Sequence, residues 1–473
     1  MTLHALSRDL VSSFGIGLAL LCATYFVYYT VYNIWLHPLA KVPGPLLGRA
    51  SLVRPVVRVS PNELSFASLE SWKAIYGATN PPMIKSEFYE MYGSGFNSLC
   101  IGSERDPQKH AQMRKALQPA FTIKAVLEQE SIVQASVDDF LATLSQIGDT
   151  VSGLNMTKWF EMLAFDIVGE MAFGESFHCI ENRKPHFWSD LIVEHLFFIT
   201  VLDNLQRFPL LKAIGTKILP RLTTSVRDKH SGFSREKIAR RLENRFSRKD
   251  FMDYLVHKVD SGDMEKEELT AHASTIIIAG GETVATFLSA ATYYLLQNPE
   301  VYQKVKDEIR SRYASVNQVD ATSAQQLPYL RAYIAESMRI YPPASQGFPR
   351  LSSGTTINGV YIPPGVEVYT SAWTITHDEK YFHDPFAFKP ERWLDPKCED
   401  VKEASQPFSL GPRGCIGKNF AYMEICLILA KMHYKFDLEL MDKHLDWEAQ
   451  SRIHMMWWKP KLPVRFTPAT GKM

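Results

Sequence analysis

Paired cysteines are missing from this sequence. Cys22, Cys100, Cys179, Cys398, Cys415 and Cys426 are scattered, with no CxxC among them. That spacing excludes a disulfide framework and a structural zinc site, and it fits a reduced, cytosol-facing compartment. Net charge is missing too. The formal value is +1 over 473 residues, so there is no electrostatic case for nucleic acid. Nor is there a Gly/Ser-rich linker, a low-complexity tract or a repeat. Length alone would allow about three domains, yet nothing divides the chain. What is present is apolar: 46% hydrophobic and 12% aromatic residues, enough for one large core.

One long uncharged run stands out, FGIGLALLCATYFVYYTVYNIWL from Phe14 to Leu36. At helical rise it is long enough to cross a bilayer. Tyrosines and Trp35 crowd its second half, as an interfacial belt would. A cleaved signal peptide is the rival reading, but the run is long for one and no small-x-small site follows. Lys41, Arg49, Arg54 and Arg58 follow the run, while only Arg8 precedes it, beside Asp9. The expected layout is a short lumenal stretch over 1–13, an anchor over 14–36, a proline-rich hinge over 37–60 and a cytosolic body over 61–473. With that topology the sequon Asn155-Met156-Thr157 never meets the lumenal glycosylation machinery.

Several segments of the body carry polar residues in helical patterns. In HAQMRKALQPAF, residues 110–121, His110 and Arg114 share one helix face. On its own this is an ordinary amphipathic helix. A helix from Glu267 to about Asn298 is long and apolar enough to cross a domain interior. Ala279-Gly280-Gly281-Glu282-Thr283 interrupts it, at about 1 kcal/mol per glycine. A kink accounts for the glycines. It leaves an acid and an alcohol that need partners or a wet cavity, and such a pair on a distorted turn can relay protons. In YLRAYIAESMRIYPP, Glu336 and Arg339 are spaced to pair across one turn, ordinarily a surface contact of small value. Residues 357–373 read as a β-hairpin region, followed by Pro390-Glu391-Arg392-Trp393 in an irregular stretch.

The stretch FSLGPRGCIG, residues 408–417, holds the lone Cys415 between glycines. A thiolate is a strong, soft ligand for iron. Glycines permit a tight loop whose N–H groups point at sulfur. A helical pattern follows, so the expected setting is a helix N-terminus that lowers the thiol pKa. The bland alternative is a buried small hydrophobe.

Phe408-x-x-Gly411-x-Arg413-x-Cys415-x-Gly417 resembles the haem-binding signature of the cytochrome P-450 superfamily, the haem-thiolate monooxygenases. Ala279–Thr283 resembles that family's oxygen-activation motif. Glu336-x-x-Arg339, with Arg392, resembles its ExxR set, in the same order along the chain. LHPLAKVPGP, VVRVSPNELSF and FDIVGEMAFGESF look like microsomal fungal enzymes of secondary metabolism. The resemblance implies a mainly α fold with small β-sheets: one catalytic domain behind one transmembrane helix, in the endoplasmic reticulum membrane. It implies haem b with Cys415 as axial iron ligand and Phe408 packed near the sulfur. His110, Arg114, Arg350 and Arg413 would contact the haem propionates. Glu336, Arg339 and Arg392 would form a buried network, and Glu282 with Thr283 would steer protons to bound oxygen.

The implied reaction is monooxygenation of a hydrophobic small molecule by O2, with electrons from NADPH through a flavoprotein reductase. Basic residues such as Lys418 would meet that reductase, or are simply solvated surface charges. The distal pocket is expected from Phe96–Ile101, Ile276–Gly280, Ala344–Phe348 and the region of Met455 and Met456. One departure is plain. His37 to Ser60 is short for this family, with Arg54 where a glycine is usual, as if an exon were missing. Rival readings are a haem-thiolate isomerase or dehydratase, a non-catalytic haem-binding relic, and a haem-free membrane protein. The first is disfavoured by the intact Glu282-Thr283 pair, the last by the surroundings of Cys415.

Overall fold

The computed structural model describes residues 16–17, 20–21, 23–40, 42, 56–92, 95–207, 228–243, 249–454 and 456–469. Helices dominate, and the two longest in the body are Ile123–Ile147 and Lys266–Gln297. The central helix, Lys266–Gln297, runs through the interior, with Ile276, Ile277, Ile278, Phe287 and Leu288 all buried. Each such side chain contributes roughly 1.5–3 kcal/mol on leaving water. Among the described residues it is the one helix of membrane-spanning length and composition, and most of it is buried inside the protein. It is a core helix.

The central helix is not interrupted at Gly280 and Gly281, as their cost in a helix had implied; it continues as regular α-helix. The glycines serve packing instead. A Cβ on Gly280 would sit 3.0 Å from Val168, and one on Gly281 3.1 Å from Phe165. Val168 and Phe165 belong to the neighbouring helix Met156–Phe173, which is buried almost throughout. Close approach of two helices offsets the propensity cost.

A five-stranded sheet stands to one side. Its order is Val56–Ser60, Glu63–Phe66, Glu367–Thr370, Arg350–Leu351, Ile84–Lys85. Its apolar face forms a second core with Leu39, Trp72, Ile75 and Phe382. The predicted hairpin region contains a real hairpin, Thr355–Ile357 with Val360–Ile362. Asn358 and Gly359 turn it at φ 50° and 72°, the backbone a tight two-residue turn needs. The rest of the region departs from that reading: Glu367–Thr370 joins the large sheet and Ala372–Thr376 is helical. A smaller hairpin, Arg452–His454 with Met456–Trp458, packs near the C-terminus. Met455 lies outside the described residues, as do 43–55, which hold most of the segment expected to be shortened.

Candidate functional site

The loop before the last long helix is tightly wound. Ser409 and Gly411 both have positive φ, 57° and 67°. The Gly414 N–H donates to Gly411 at 3.0 Å and the Cys415 N–H donates to Phe408 at 2.8 Å. A Cβ on Gly411 would run into the Tyr76 carbonyl. Gly411→Ala is therefore expected to cost about 2 kcal/mol or more through strain and clash, read as a fall in the urea midpoint.

Cys415 is an exposed cysteine, whereas Cys100, Cys179 and Cys426 are buried. Its thiol nevertheless lies deep in the protein mass, so it lines an internal opening. Burial pushes its pKa up, against the Gly417 N–H, Arg114 and Lys418, which favour the thiolate. This reverses the expected lowering. The helix begins at Lys418, and a helix-end field fades within one turn. Phe408 packs at a tilt on Tyr422, ring centroids 5.2 Å apart.

Beside this loop sits a group of cations. Arg114 donates to the Gly414 carbonyl at 2.7 Å. Arg413 donates to the carbonyls of Glu104 and Arg105 at 3.0 and 2.8 Å. Arg350 donates to the Tyr89 hydroxyl at 2.8 Å. His110 is buried, and with Arg114, Arg350 and Arg413 it lines a cavity of about 370 Å³.

Sequence reasoning missed a fifth member. Lys85 lies directly opposite Arg350 in the sheet and donates to the carbonyls of Ile101 and Gly102 at 2.8 and 2.7 Å. No local pattern marks it; strand pairing alone brings it here. Like charges directly opposed in a strand pair are destabilising. Burial, then Arg413 and Arg350, depress the Lys85 pKa to about 6. Burial, then Lys85 and Arg413, depress His110 to about 3. Among the described residues, none of these five forms an ion pair with a carboxylate.

On the central helix, Ala279 is exposed and Gly280 and Thr283 are half-buried, where all else from Ala271 to Ala285 is buried. The helix therefore borders an opening there. The Thr283 hydroxyl donates to Ala279 at 2.6 Å. Glu282 is turned elsewhere, ion-paired with Lys459 and accepting from Thr286 at 3.2 Å. The acid and the alcohol are adjacent in sequence but are not hydrogen-bonded to each other.

The ExxR residues do come together. Arg339 binds both Glu336 oxygens, at 2.9 and 2.8 Å. Arg392 Nε reaches Glu336 at 3.1 Å, and Trp393 and the Lys389 N–H each add a bond at 2.9 Å. Arg339 also holds the carbonyls of Thr376 and Pro385. Glu336 and Arg339 are fully buried, so the surface-pair alternative is overturned.

The cytochrome P450 family model matches residues 36–464. The chain belongs to the cytochrome P450 family. It is 56% identical to cytochrome P450 monooxygenase ORF9 of Penicillium roqueforti, over 98% of this chain and 95% of that one. It is 49% identical to cytochrome P450 monooxygenase BOT4 of Botryotinia fuckeliana, over 93% and 89%. A third fungal relative, astD of Aspergillus oryzae, is 35% identical over 95% and 94%. As a P450 monooxygenase the chain is an oxidoreductase. The family uses thiolate-ligated haem, O2, a redox-partner reductase and a small-molecule substrate. The residues present fit that cofactor. Cys415 is exposed although deep in the protein mass, and the guanidinium groups of Arg114, Arg350 and Arg413, none ion-paired with a carboxylate among the described residues, line a neighbouring cavity, as the carboxylates of an iron porphyrin require.

Proposed function

We propose that this chain is a single-pass membrane monooxygenase that hydroxylates a hydrophobic small molecule in fungal secondary metabolism. Its cofactor is haem b, held by Cys415, and its electrons come from NADPH through a flavoprotein reductase. The observation that carries this reading is the exposed Cys415 beside a cluster of basic side chains, Arg114, Arg350 and Arg413 among them, that form no carboxylate ion pair among the described residues. Haem, when bound, supplies oxygen activation. Arg413, His110, Arg114, Arg350 and Lys85 hold its carboxylates, and Phe408 shields the sulfur. Thr283 keeps a hydroxyl at the opening in the central helix, and Glu282 handles protons behind it. Leu99, Ala279 and Phe348, each exposed although within the expected lining, give the substrate an apolar surface.

Membrane attachment has its own support. Leu20, Leu21, Tyr25, Phe26, Val27, Tyr28 and Trp35 are all exposed apolar residues on helical turns. The exit from that segment is tied to the body: Arg58 donates to the Asn33 carbonyl at 2.9 Å, and His37 meets Asn62 at 3.0 Å. We place the body on the cytosolic side of the endoplasmic reticulum. Alignment with the Penicillium roqueforti relative spans 486 positions, more than the 473 residues of this chain. The relative therefore carries residues with no counterpart here, and we assign them to the shortened junction near residues 46–58 because the chain between anchor and body is brief there.

The test is oxygen-18 incorporation into product by membranes holding this chain and a reductase. Label in product, dependent on NADPH and reductase, is expected. Unlabelled product without reductase would favour the isomerase reading. Bound haem with no oxygen uptake would favour the relic.

Lys85 has a signed effect. Lys85→Met is expected to weaken haem retention about tenfold, the worth of one charge-assisted hydrogen bond. Its haem-free form is expected to gain stability. An ordinary lysine titrates near 10.5, and Lys85 when folded near 6. Between those values the unfolded chain binds the extra proton, so haem-free stability rises with pH across that window. Lys85→Met removes this component of the slope. Haem transfer to an acceptor protein and pH-dependent unfolding read the two effects.

A further inference from the structure

The buried charges around Glu282 remain unused by the haem site. Glu282 Oε1 is bonded to Lys459 Nζ, and Lys459 also reaches the Thr286 hydroxyl at 3.0 Å. The Lys459 side chain is 2% exposed. On its other side, 3.8 Å away, lies Glu161. Glu161 is held at 2.8 Å by Lys158, which is 44% exposed and 3.6 Å from the surface carboxylate of Asp190. Alternating charges thus run from solvent to the turn that carries Thr283. Tyr341 also faces this group, but its hydroxyl is engaged by Ser451 at 2.9 Å. Burying so many charges costs several kcal/mol per ion unless each is paired. A purely structural role would be served as well by apolar side chains.

Lys459 directly follows the C-terminal hairpin. That hairpin packs His454 and Trp458 on Phe197, at 5.2 and 5.6 Å. The base of a surface hairpin is therefore pinned to the acid behind the oxygen-facing turn.

We propose that Lys459 is a positioning residue for the reaction: it holds Glu282 away from the opening and feeds it protons through Glu161 and Lys158. This rests on the monooxygenase reading. One proton moves inward per event. Nζ–H gives its proton to Glu282 Oε1, leaving an amine and a carboxylic acid. The acid swings about its side chain and releases the proton on the Thr283 side. Glu161 then takes a proton from solvent beside Lys158 and passes it to the Lys459 amine, which restores the ammonium and the Glu161 carboxylate. No residue is consumed, and a protonated acid is released from Lys459 more readily than a carboxylate would be.

The experiment uses haem-loaded full chain with reductase, and NADPH-driven oxygen reduction without added substrate. Lys459→Met is expected to raise the share of oxygen released as peroxide roughly threefold or more, and to enlarge the solvent deuterium effect on NADPH consumption. Lys459→Arg keeps the ion pair but cannot give up its proton, so it should match wild type in the infrared test below and raise the peroxide share as Lys459→Met does. Infrared difference spectra without turnover give an independent readout. At pH 7, Lys459→Met should show a protonated-carboxyl band that is absent from wild type and from the Lys459→Met/Glu282→Gln double variant. Unchanged peroxide share at equal haem content, or no such band, overturns the proposal. Should Lys459→Met lose haem, Glu161→Gln cuts the route and must show the same peroxide rise. If wild type forms no thiolate–carbon monoxide complex, the monooxygenase reading fails, and the feeding role with it. The infrared band then decides the positioning role alone.

Discussion

Cys415→Ala should abolish the strongly red-shifted Soret band of the reduced carbon monoxide complex, and turnover with it. The thiolate is the source of that shift, since it pushes electron density onto iron. No substitute lies at hand. Cys100, Cys179 and Cys426 are buried elsewhere, and among the described residues no cluster of His, Cys, Asp and Glu offers a metal site. The variant is expected to keep its fold, because Cys415 holds the loop through its backbone N–H to Phe408 at 2.8 Å, which alanine retains. Haem could still enter through the cation cluster, giving an unshifted band. The measurement is a dithionite-reduced carbon monoxide difference spectrum on membranes of both proteins. A red-shifted band surviving in the variant would remove Cys415 as ligand.

Glu336→Ala is expected to destabilise the protein by about 3–5 kcal/mol, the cost of stranding a buried charge. An exposed pair would cost at most about 1 kcal/mol, so burial decides which figure applies, and Glu336 and Arg339 are both 0% exposed. The Glu336 carboxylate accepts from two arginines, Trp393 and a backbone N–H. Removing it takes the acceptor from Trp393 and the Lys389 N–H and the counter-charge from Arg339, which keeps only backbone carbonyls, while Arg392 retains Asp400. Stability of a whole domain is only about 5–15 kcal/mol, so haem-loaded yield should fall steeply. Arg392→Ala should be milder in its effect on Glu336, which keeps the bidentate Arg339. Urea unfolding of the three proteins checks the ranking. A loss under about 1 kcal/mol for Glu336→Ala would show that the network is not structurally important.

Much of this was legible in the chain. The Cys415 loop, the ExxR helix at Pro328–Ile340 and the central helix at Lys266–Gln297 are local patterns. Their residues lie within one or a few turns of one another, so spacing carries the information. The two glycines misled. Helix propensity marked them as a break, but it counts only the isolated helix, and Val168 and Phe165 lie far away in sequence. The helix-end effect on Cys415 was also misjudged, because depth of burial has no local signature.

What the sequence determined by itself is thus the family, the loop that carries Cys415 and the order of the motifs, all set by short-range spacing of residue types. Only the tertiary structure decided that Lys85 joins the cation cluster, that Glu282 faces Lys459 and not Thr283, and that Glu336 is buried beyond water's reach. Each of those depends on contacts between distant segments: a strand pairing, a hairpin docked on a helix, a loop folded over an ion pair. Burial turns such contacts into pKa shifts and kcal/mol, and burial is a property of the packed chain and not of any segment of it.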